Sequence, residues 1–265
     1  MALWLDTVCH GFDYAVLSAI HAFALAAGDV MTFLMRAITM LADHGYGMIA
    51  LGLILFCFKR TRKVGLAALL GIAVGALITN VTLKPLVFRA RPYTHDEYRV
   101  MWEAVLGLKE SERSFPSGHT TSAMAAMMGI FLASKKKKYT WPVLIFPVLM
   151  GFTRLYFVVH YPTDVLGGLV AGALGALGGF GLLCLLYRFL EKHKKHKACA
   201  FYLNFDPIVT LIRRVRKKSS RATQDAVQKA TETNAPKDEL DAATADTADT
   251  GENDLPRKDS DTTAE

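Results

Sequence analysis

Basic, hydroxyl and imidazole side chains recur at three separate places in the sequence, each beside an apolar run. They are Lys84 and Arg91 in KPLVFRARP, Ser117, Gly118 and His119 in PSGH, and Arg154, His160 and Asp164 in TRLYFVVHYPTD. Three permanent cations without a carboxylate cluster indicate a multiply charged anion as the ligand. Guanidinium groups match phosphate oxygens in bidentate fashion, and a lysine adds a point charge. The pattern therefore predicts a phosphate-binding site.

The segment PSGH opens a predicted helix with residues that favour anion binding. The first backbone N–H groups of a helix lack partners within the helix, and together with the helix dipole they attract phosphate. Gly118 has no Cβ, so an anion can approach its backbone closely. Ser117 and Gly118 are therefore predicted to form a phosphate cradle at the start of this helix.

The two histidines of these segments can complete a reaction. His160 and Asp164 are four residues apart, so the carboxylate can accept a hydrogen bond from one ring nitrogen and leave the other free as a nucleophile. His119, next to the cradle, is placed to protonate a leaving oxygen as a general acid. No pair of aspartates suits Mg²⁺, so we expect a reaction that needs neither a metal nor another cofactor.

The three segments resemble the three signature motifs of the type 2 phosphatidic acid phosphatase family. That family includes bacterial lipid phosphatases, glucose-6-phosphatase and vanadium haloperoxidases. Its motifs are matched by Lys84, Arg91 and Pro92, by Pro116 to His119 without change, and by Arg154, His160 and Asp164. Thr153 stands where the third motif usually has serine, and it keeps the hydroxyl group.

The resemblance implies a phosphohistidine intermediate on His160, oriented by Asp164. It implies that His119 acts first as the acid and then activates water. It also implies a helical core of six membrane spans with the site at the outer face. The phosphate contacts that it implies come from Lys84, Arg91, Ser117, Gly118 and Arg154.

The elements that must position these residues are apolar helices. Hydrophobic residues make up 52% of the 265-residue chain, and residues 64–83 and 165–187 carry no charge. Each run is close to the ~20 residues that cross a bilayer as a helix. We therefore predict an all-α, polytopic membrane bundle. Its spans are residues 14–28, 45–58, 64–83, 119–134, 139–159 and 164–187, with the crossing of the first left open.

Other features of the predicted spans concern the membrane–water interface and the packing of helices. Residues 29–43 contain Arg36 and are predicted to be interfacial or re-entrant. Arg89 and Arg99 are expected to snorkel to lipid headgroups. Glycines at four-residue spacing predict close packing of the third and sixth spans. They are Gly71, Gly75, Gly168, Gly172, Gly175 and Gly179.

Clusters of lysine and arginine predict the orientation of the chain in the membrane. They occupy residues 59–63, 135–138 and 188–197, on one face if the spans alternate. Positive loops favour the cytoplasm, so both termini are predicted to be cytoplasmic and the site extracytoplasmic.

The charge distribution divides the chain into a membrane domain, residues 1–187, and two further segments. Residues 188–221 hold eleven Lys and Arg against two acids, and residues 222–265 hold four against twelve. The basic segment is predicted to meet anionic lipids, and its residues 206–221 fit either an amphipathic helix or a flexible linker. The acidic tail is predicted to be disordered. Nothing in this pattern favours nucleic acid.

These features predict a membrane phosphatase that acts on a lipid phosphate or diphosphate. Undecaprenyl diphosphate, phosphatidylglycerophosphate and phosphatidate all fit, and an outward site favours recycling of a carrier lipid. A haloperoxidase fits the motifs but not the membrane spans. A non-catalytic lipid-binding or transport protein fits the cations, but binding alone needs no His160, His119 or Asp164.

Overall fold

The computed structural model describes residues 2–41, 45–105, 109–110, 113–204 and 207–233. Helices are the only regular secondary structure in these residues. The α-helices are α1 (Ala2–Met40), α2 (Tyr46–Cys57), α3 (Arg62–Ala76), α4 (Lys84–Val87), α5 (Asp96–Ala104), α6 (Gly118–Ala133), α7 (Lys137–Thr140), α8 (Ile145–Tyr156), α9 (Pro162–Lys192), α10 (Lys197–Asn204) and α11 (Pro207–Thr233).

Apolar helices of membrane-spanning length confirm the predicted helical membrane class. Three stretches of the described chain are long and apolar enough to cross a bilayer: Ala2–Met40, Arg62–Thr94 and Pro162–Lys192. The predicted second, fourth and fifth spans correspond to α2, α6 and α8, which have 12, 16 and 12 residues. The count of six spans stays a prediction.

Helix α1 is longer than the predicted first span. It runs from Ala2 to Met40 and departs from helical geometry at Gly28 (φ 69°, ψ −169°), so residues 29–40 of the predicted interfacial segment are also helical. The charge of Asp13 bounded the predicted span. In the structure Asp13 is fully buried and its carboxylate accepts a hydrogen bond from Arg89. A charge that is paired inside the protein does not have to end an apolar helix.

Glycines bring α3, α6 and α9 into backbone contact, as their spacing predicted. A Cβ atom built on Gly175 of α9 would lie 2.7 Å from the Cα of Gly75 in α3. One built on Gly71 would lie 2.8 Å from the carbonyl oxygen of Ala125 in α6. The close approach of these helices brings the start of α6 to the start of α9, where the backbone N–H of Ser117 donates to the carbonyl of Asp164 at 3.0 Å.

The helical geometry changes between the end of α3 and the first motif. Residues Leu77–Leu83 form a π-helical turn that leads directly into α4. Phe88 then adopts a left-handed conformation (φ 49°, ψ 49°), which ends the helix. This change of direction turns the following residues, Arg89 and Arg91, towards the connection between α8 and α9.

The chain divides into a unit of residues 1–209 and a unit of residues 210–265. The predicted basic segment is helical rather than a flexible linker, because α11 runs from Pro207 to Thr233. The disorder predicted from residue 222 is wrong for residues 222–233, which include three alanines and two glutamines, both good helix formers. Residues 234–265 lie outside the described residues.

Candidate active site

The three motifs meet at one cavity of about 730 Å³. Six of the eight predicted site residues line it: Lys84, Arg91, Gly118, His119, Arg154 and His160. The other two, Ser117 and Asp164, are completely buried. The cavity thus collects side chains from segments that are far apart in sequence, as a shared site requires.

His160 lies in the connection between α8 and α9 and is 1% exposed. Its Nε2 atom is 3.1 Å from Nη1 of Arg91, and its Nδ1 atom is 3.5 Å from Oδ2 of Asp164. A guanidinium group can only donate, so Nε2 accepts and the ring proton belongs on Nδ1. Burial, together with the charge of Arg91, holds the pKa of His160 well below its ordinary value. The imidazole is therefore neutral at pH 7, with a lone pair on the side of the cavity.

The carboxylate of Asp164 is held behind His160 by hydrogen bonds from three other residues. The hydroxyl of Ser114 donates to Oδ2 at 2.5 Å, and the backbone N–H of Tyr161 donates to the same oxygen at 3.0 Å. Arg89 donates to Oδ1 at 2.8 Å. The contact with Tyr161 belongs to the capping box that begins α9. Ser114 was missed in the sequence because a single serine before PSGH carries no pattern.

Two guanidinium groups of the cavity share one carboxylate. Nη2 of Arg91 lies 2.9 Å from Oε2 of Glu110, and Arg154 contacts the other oxygen of the same carboxylate. Arg154 also donates to the hydroxyl of Thr39 at 2.5 Å, so the end of α1 helps to orient it. Carboxylates and phosphates are matching ligands for a guanidinium fork. Glu110 therefore occupies the kind of position that a phosphate group would take.

Helix α6 presents its first turn to the same cavity. Gly118 is the first residue of this helix, and a Cβ atom there would lie 3.7 Å from Nζ of Lys84. A lysine ammonium group and the start of a helix are thus side by side. Both features favour an anion.

The structure does not bring the side chain of Ser117 to the cavity. Its Oγ atom accepts a hydrogen bond from the hydroxyl of Thr120 at 3.0 Å and another from the Thr120 backbone N–H at 3.5 Å. A serine at the position before a helix commonly caps that helix in this way. The Ser117 hydroxyl thus fixes the start of α6, and its contact with phosphate stays a prediction.

The prediction that Arg89 snorkels to headgroups is wrong. Arg89 is 1% exposed, and its guanidinium donates to Asp6 at 2.7 Å and to Asp13 at 2.8 Å. These two partners precede it by 83 and 76 residues, so no local pattern could reveal the pairing. Arg99 is 49% exposed and pairs only loosely with Asp96, at 3.1 Å.

Comparison with known proteins agrees with this geometry. The model of the PAP2 superfamily matches residues 64–195. The undecaprenyl-diphosphatase BcrC of Bacillus subtilis (strain 168) is 32% identical over 183 residues, which cover 68% of this chain and 88% of that protein. The chain belongs to the PAP2 superfamily. The resemblance seen in the three motifs is thereby confirmed.

Further PAP2 relatives agree on enzyme class and fold. Phosphatidylglycerophosphatase B of Bacillus subtilis (strain 168) is 31% identical over 159 residues, covering 57% of this chain and 69% of that protein. The crystal structure of Aquifex aeolicus LpxE has a TM-score of 0.51 at 23% identity, covering 62% and 94% of the two chains, and supports the fold alone. The two relatives in Bacillus are named as phosphatases, and the predictions of a PAP2 phosphatase and of a membrane location are confirmed.

Proposed function

We propose that this PAP2 protein hydrolyses a phosphate or diphosphate ester of a membrane lipid through a covalent intermediate on His160. The observation that carries the proposal is the setting of the His160 imidazole. It is buried and neutral, its Nε2 atom meets Arg91 at the cavity, and Asp164 stands behind Nδ1. A site for binding alone needs the cations but not this nucleophile.

In the proposed first step, Arg91 moves its N–H from Nε2 of His160 to a phosphoryl oxygen, and the freed Nε2 lone pair attacks phosphorus. The P–N bond forms while the bond from phosphorus to the leaving oxygen breaks, and His119 gives its proton to that oxygen. In the transition state, negative charge is spread over the equatorial oxygens of the phosphoryl group. Arg91, Arg154 and Lys84 are the cations placed to stabilise that charge, together with the first backbone N–H groups of α6.

In the second step, water replaces the histidine. His119 accepts a proton from water, the water oxygen bonds to phosphorus, and the P–N bond breaks with its electron pair returning to Nε2. The Nδ1 proton of His160 stays beside Asp164 throughout, since that carboxylate stabilises the positive charge of the phosphorylated ring. Inorganic phosphate then leaves the cavity.

We propose a polyprenyl diphosphate as the first substrate to test. The support is the similarity to an undecaprenyl-diphosphatase over 88% of that protein's length. Apolar side chains also line the cavity beside its cations, including Met40, Ile49 and Ile72. They suit a ligand with a charged head and an apolar chain. Phosphatidylglycerophosphate and phosphatidate are the two alternatives.

We further propose that the site faces the extracytoplasmic side and that both termini are cytoplasmic. The lysine and arginine clusters at residues 59–63, 135–138 and 188–197 support this orientation. The basic segment 188–221 would then meet anionic lipids of the inner leaflet. Protease treatment of inside-out vesicles should remove residues beyond 197, while right-side-out vesicles should protect them; the opposite pattern would reverse the proposed orientation.

The activity is tested with purified protein in detergent containing EDTA and no added metal. Release of inorganic phosphate is measured from a polyprenyl diphosphate, phosphatidylglycerophosphate and phosphatidate. We expect turnover that is lost in His160→Ala and retained in His196→Ala, a control histidine on the exposed surface. Tight lipid binding without phosphate release from any of the three would instead support a lipid-binding protein.

A further inference from the structure

Arg89 stands at the centre of a buried group of charges behind the proposed nucleophile. Its guanidinium donates four hydrogen bonds: Nε to Asp6 at 2.7 Å, Nη1 to Thr163 at 2.7 Å and to Asp164 at 2.8 Å, and Nη2 to Asp13 at 2.8 Å. The guanidinium carbon also lies 3.8 Å from the ring centre of Tyr161. The whole planar fork is therefore held in one orientation.

Arg89 supplies the positive charge that faces three carboxylates in this cluster. The side chains of Asp13 and Asp164 are 1% and 0% exposed, and Arg89 pairs with both. Its third carboxylate partner, Asp6, is 39% exposed and can also be stabilised by water. An ionised carboxylate that loses its partner inside a protein is strongly disfavoured. Without Arg89, Asp164 would keep only the neutral donors Ser114 and Tyr161.

The cluster also links the reaction site to α1. Asp13 accepts hydrogen bonds from the backbone N–H of Thr163 at 3.0 Å and from its hydroxyl at 2.8 Å, next to Asp164 in the first turn of α9. Arg89 and Thr163 thus meet the same carboxylate from two sides. The position of Asp164 behind His160 consequently depends on a residue at the other end of the membrane domain sequence.

We propose that Arg89 is a positioning residue of the reaction, which holds the Asp164 carboxylate charged and in place behind His160, with Asp13 as its anchor on α1. The inference rests on the proposed hydrolysis at His160. Arg89 is not among the described residues that line the cavity, so it acts through Asp164 rather than on the substrate. Its loss should slow the chemical step and leave phosphate binding unchanged.

The experiment compares Arg89→Gln and Arg89→Lys with Arg99→Gln, a control at an exposed arginine. After wild-type turnover and its loss in His160→Ala are established, kcat, KM and inhibition by inorganic phosphate are measured on monodisperse protein. In Arg89→Gln we expect kcat to fall by about 10- to 100-fold, by analogy with the groups that orient metal-ligating side chains from behind. The KM and the inhibition constant should change by less than about twofold, well below one tenfold step in affinity.

A merely structural role predicts a different result, namely less folded protein with normal kcat in the fraction that folds. Arg89→Lys keeps the charge and should recover part of the lost kcat. In the double variant Arg89→Gln with Asp13→Asn, one of the two buried carboxylates that lost their cation is also removed. Its kcat should therefore be higher than that of Arg89→Gln alone.

Each outcome has a defined meaning. Wild-type kcat in folded Arg89→Gln overturns the inference, as does a fall in kcat matched by an equal weakening of phosphate inhibition. If Arg89→Gln does not fold, Arg89→Lys decides: reduced kcat at unchanged KM supports positioning, and normal kcat refutes it. An inactive wild type refutes the proposed function itself, which is a separate result.

Discussion

Arg89 and Arg91 are two residues apart, reach the same connection between α8 and α9, and differ in what surrounds them. Arg91 meets His160 and the carboxylate of Glu110, which is 20% exposed. Arg89 meets carboxylates from α1 and α9, two of them fully buried. We expect a guanidinium whose carboxylate can leave towards solvent to be available to a ligand, and one enclosed by buried carboxylates to be a fixed part of the fold.

The two arginines also hold opposite sides of the same dyad. Arg91 contacts Nε2 of His160, on the side where a phosphoryl group would bind. Arg89 contacts Asp164, which stands beside the Nδ1 atom. Adjacent residues of one short segment can thus serve substrate binding and the support of the nucleophile separately. The difference between them can be tested by matched substitutions.

The largest expected effect is on stability and belongs to Arg89. Replacing it with methionine in Arg89→Met leaves Asp13 and Asp164 buried without their cation, and we expect a loss of about 3–5 kcal/mol. The matched Arg91→Met leaves Glu110 able to turn to water, with an expected loss of about 1 kcal/mol. Thermal unfolding in detergent measures both; equal shifts in the two variants would remove the distinction between fixed and exchangeable pairs.

Activity should depend more directly on Arg91 than on Arg89, because of the two arginines only Arg91 contacts the reacting nitrogen of His160. In Arg91→Met we expect kcat/KM for the lipid substrate to fall by about 10²- to 10³-fold, as when one preorganised charge-stabilising donor is lost. Inhibition by inorganic phosphate should weaken in the same variant. Arg99→Met is the control with unchanged kinetics. Unaltered phosphate inhibition in Arg91→Met would contradict its proposed role at the cavity.

The comparison also explains what the sequence could and could not predict. The sequence could indicate the six predicted site residues that line the cavity, because their motifs are local in sequence: Lys84, Arg91, Gly118, His119, Arg154 and His160. Their meeting at one cavity follows from glycines that bring α3, α6 and α9 together, and these too have a readable spacing.

The missed features depend on contacts between distant parts of the chain. Arg89 was taken for a snorkelling residue because a single arginine near the end of a span usually reaches the headgroups, and its partners Asp6 and Asp13 are 83 and 76 residues away. Glu110 lies in a polar loop whose acids carry no pattern. In each case a side chain had two physically reasonable partners, and only the fold selects between them.

A smaller effect, on KM, is expected from Glu110. It tests whether the carboxylate paired with Arg91 can be exchanged for a phosphate. A substrate phosphate must displace this carboxylate from Arg91 and Arg154 before it can bind there. In Glu110→Gln the competing charge is gone, and we expect KM to fall by about threefold to tenfold, close to 1 kcal/mol, with kcat little changed. The control is Glu103→Gln, at an exposed position of α5. A higher KM in Glu110→Gln would show that Glu110 assists substrate binding.

The smallest effect concerns protons on His160. Burial and the charge of Arg91 lower its pKa in the folded protein from 6.5, so the unfolded chain binds a proton there more readily than the folded chain does. As pH falls below about 6.5, protonation therefore favours unfolding, and the stability contributed by the neutral ring is progressively lost. The unfolding temperature of the wild type should drop between pH 7.5 and pH 5 by more than that of His160→Gln, which has no proton to gain. Equal drops would mean that His160 binds protons equally in the folded and the unfolded protein. That result would contradict the description of His160 as a neutral nucleophile beside Arg91.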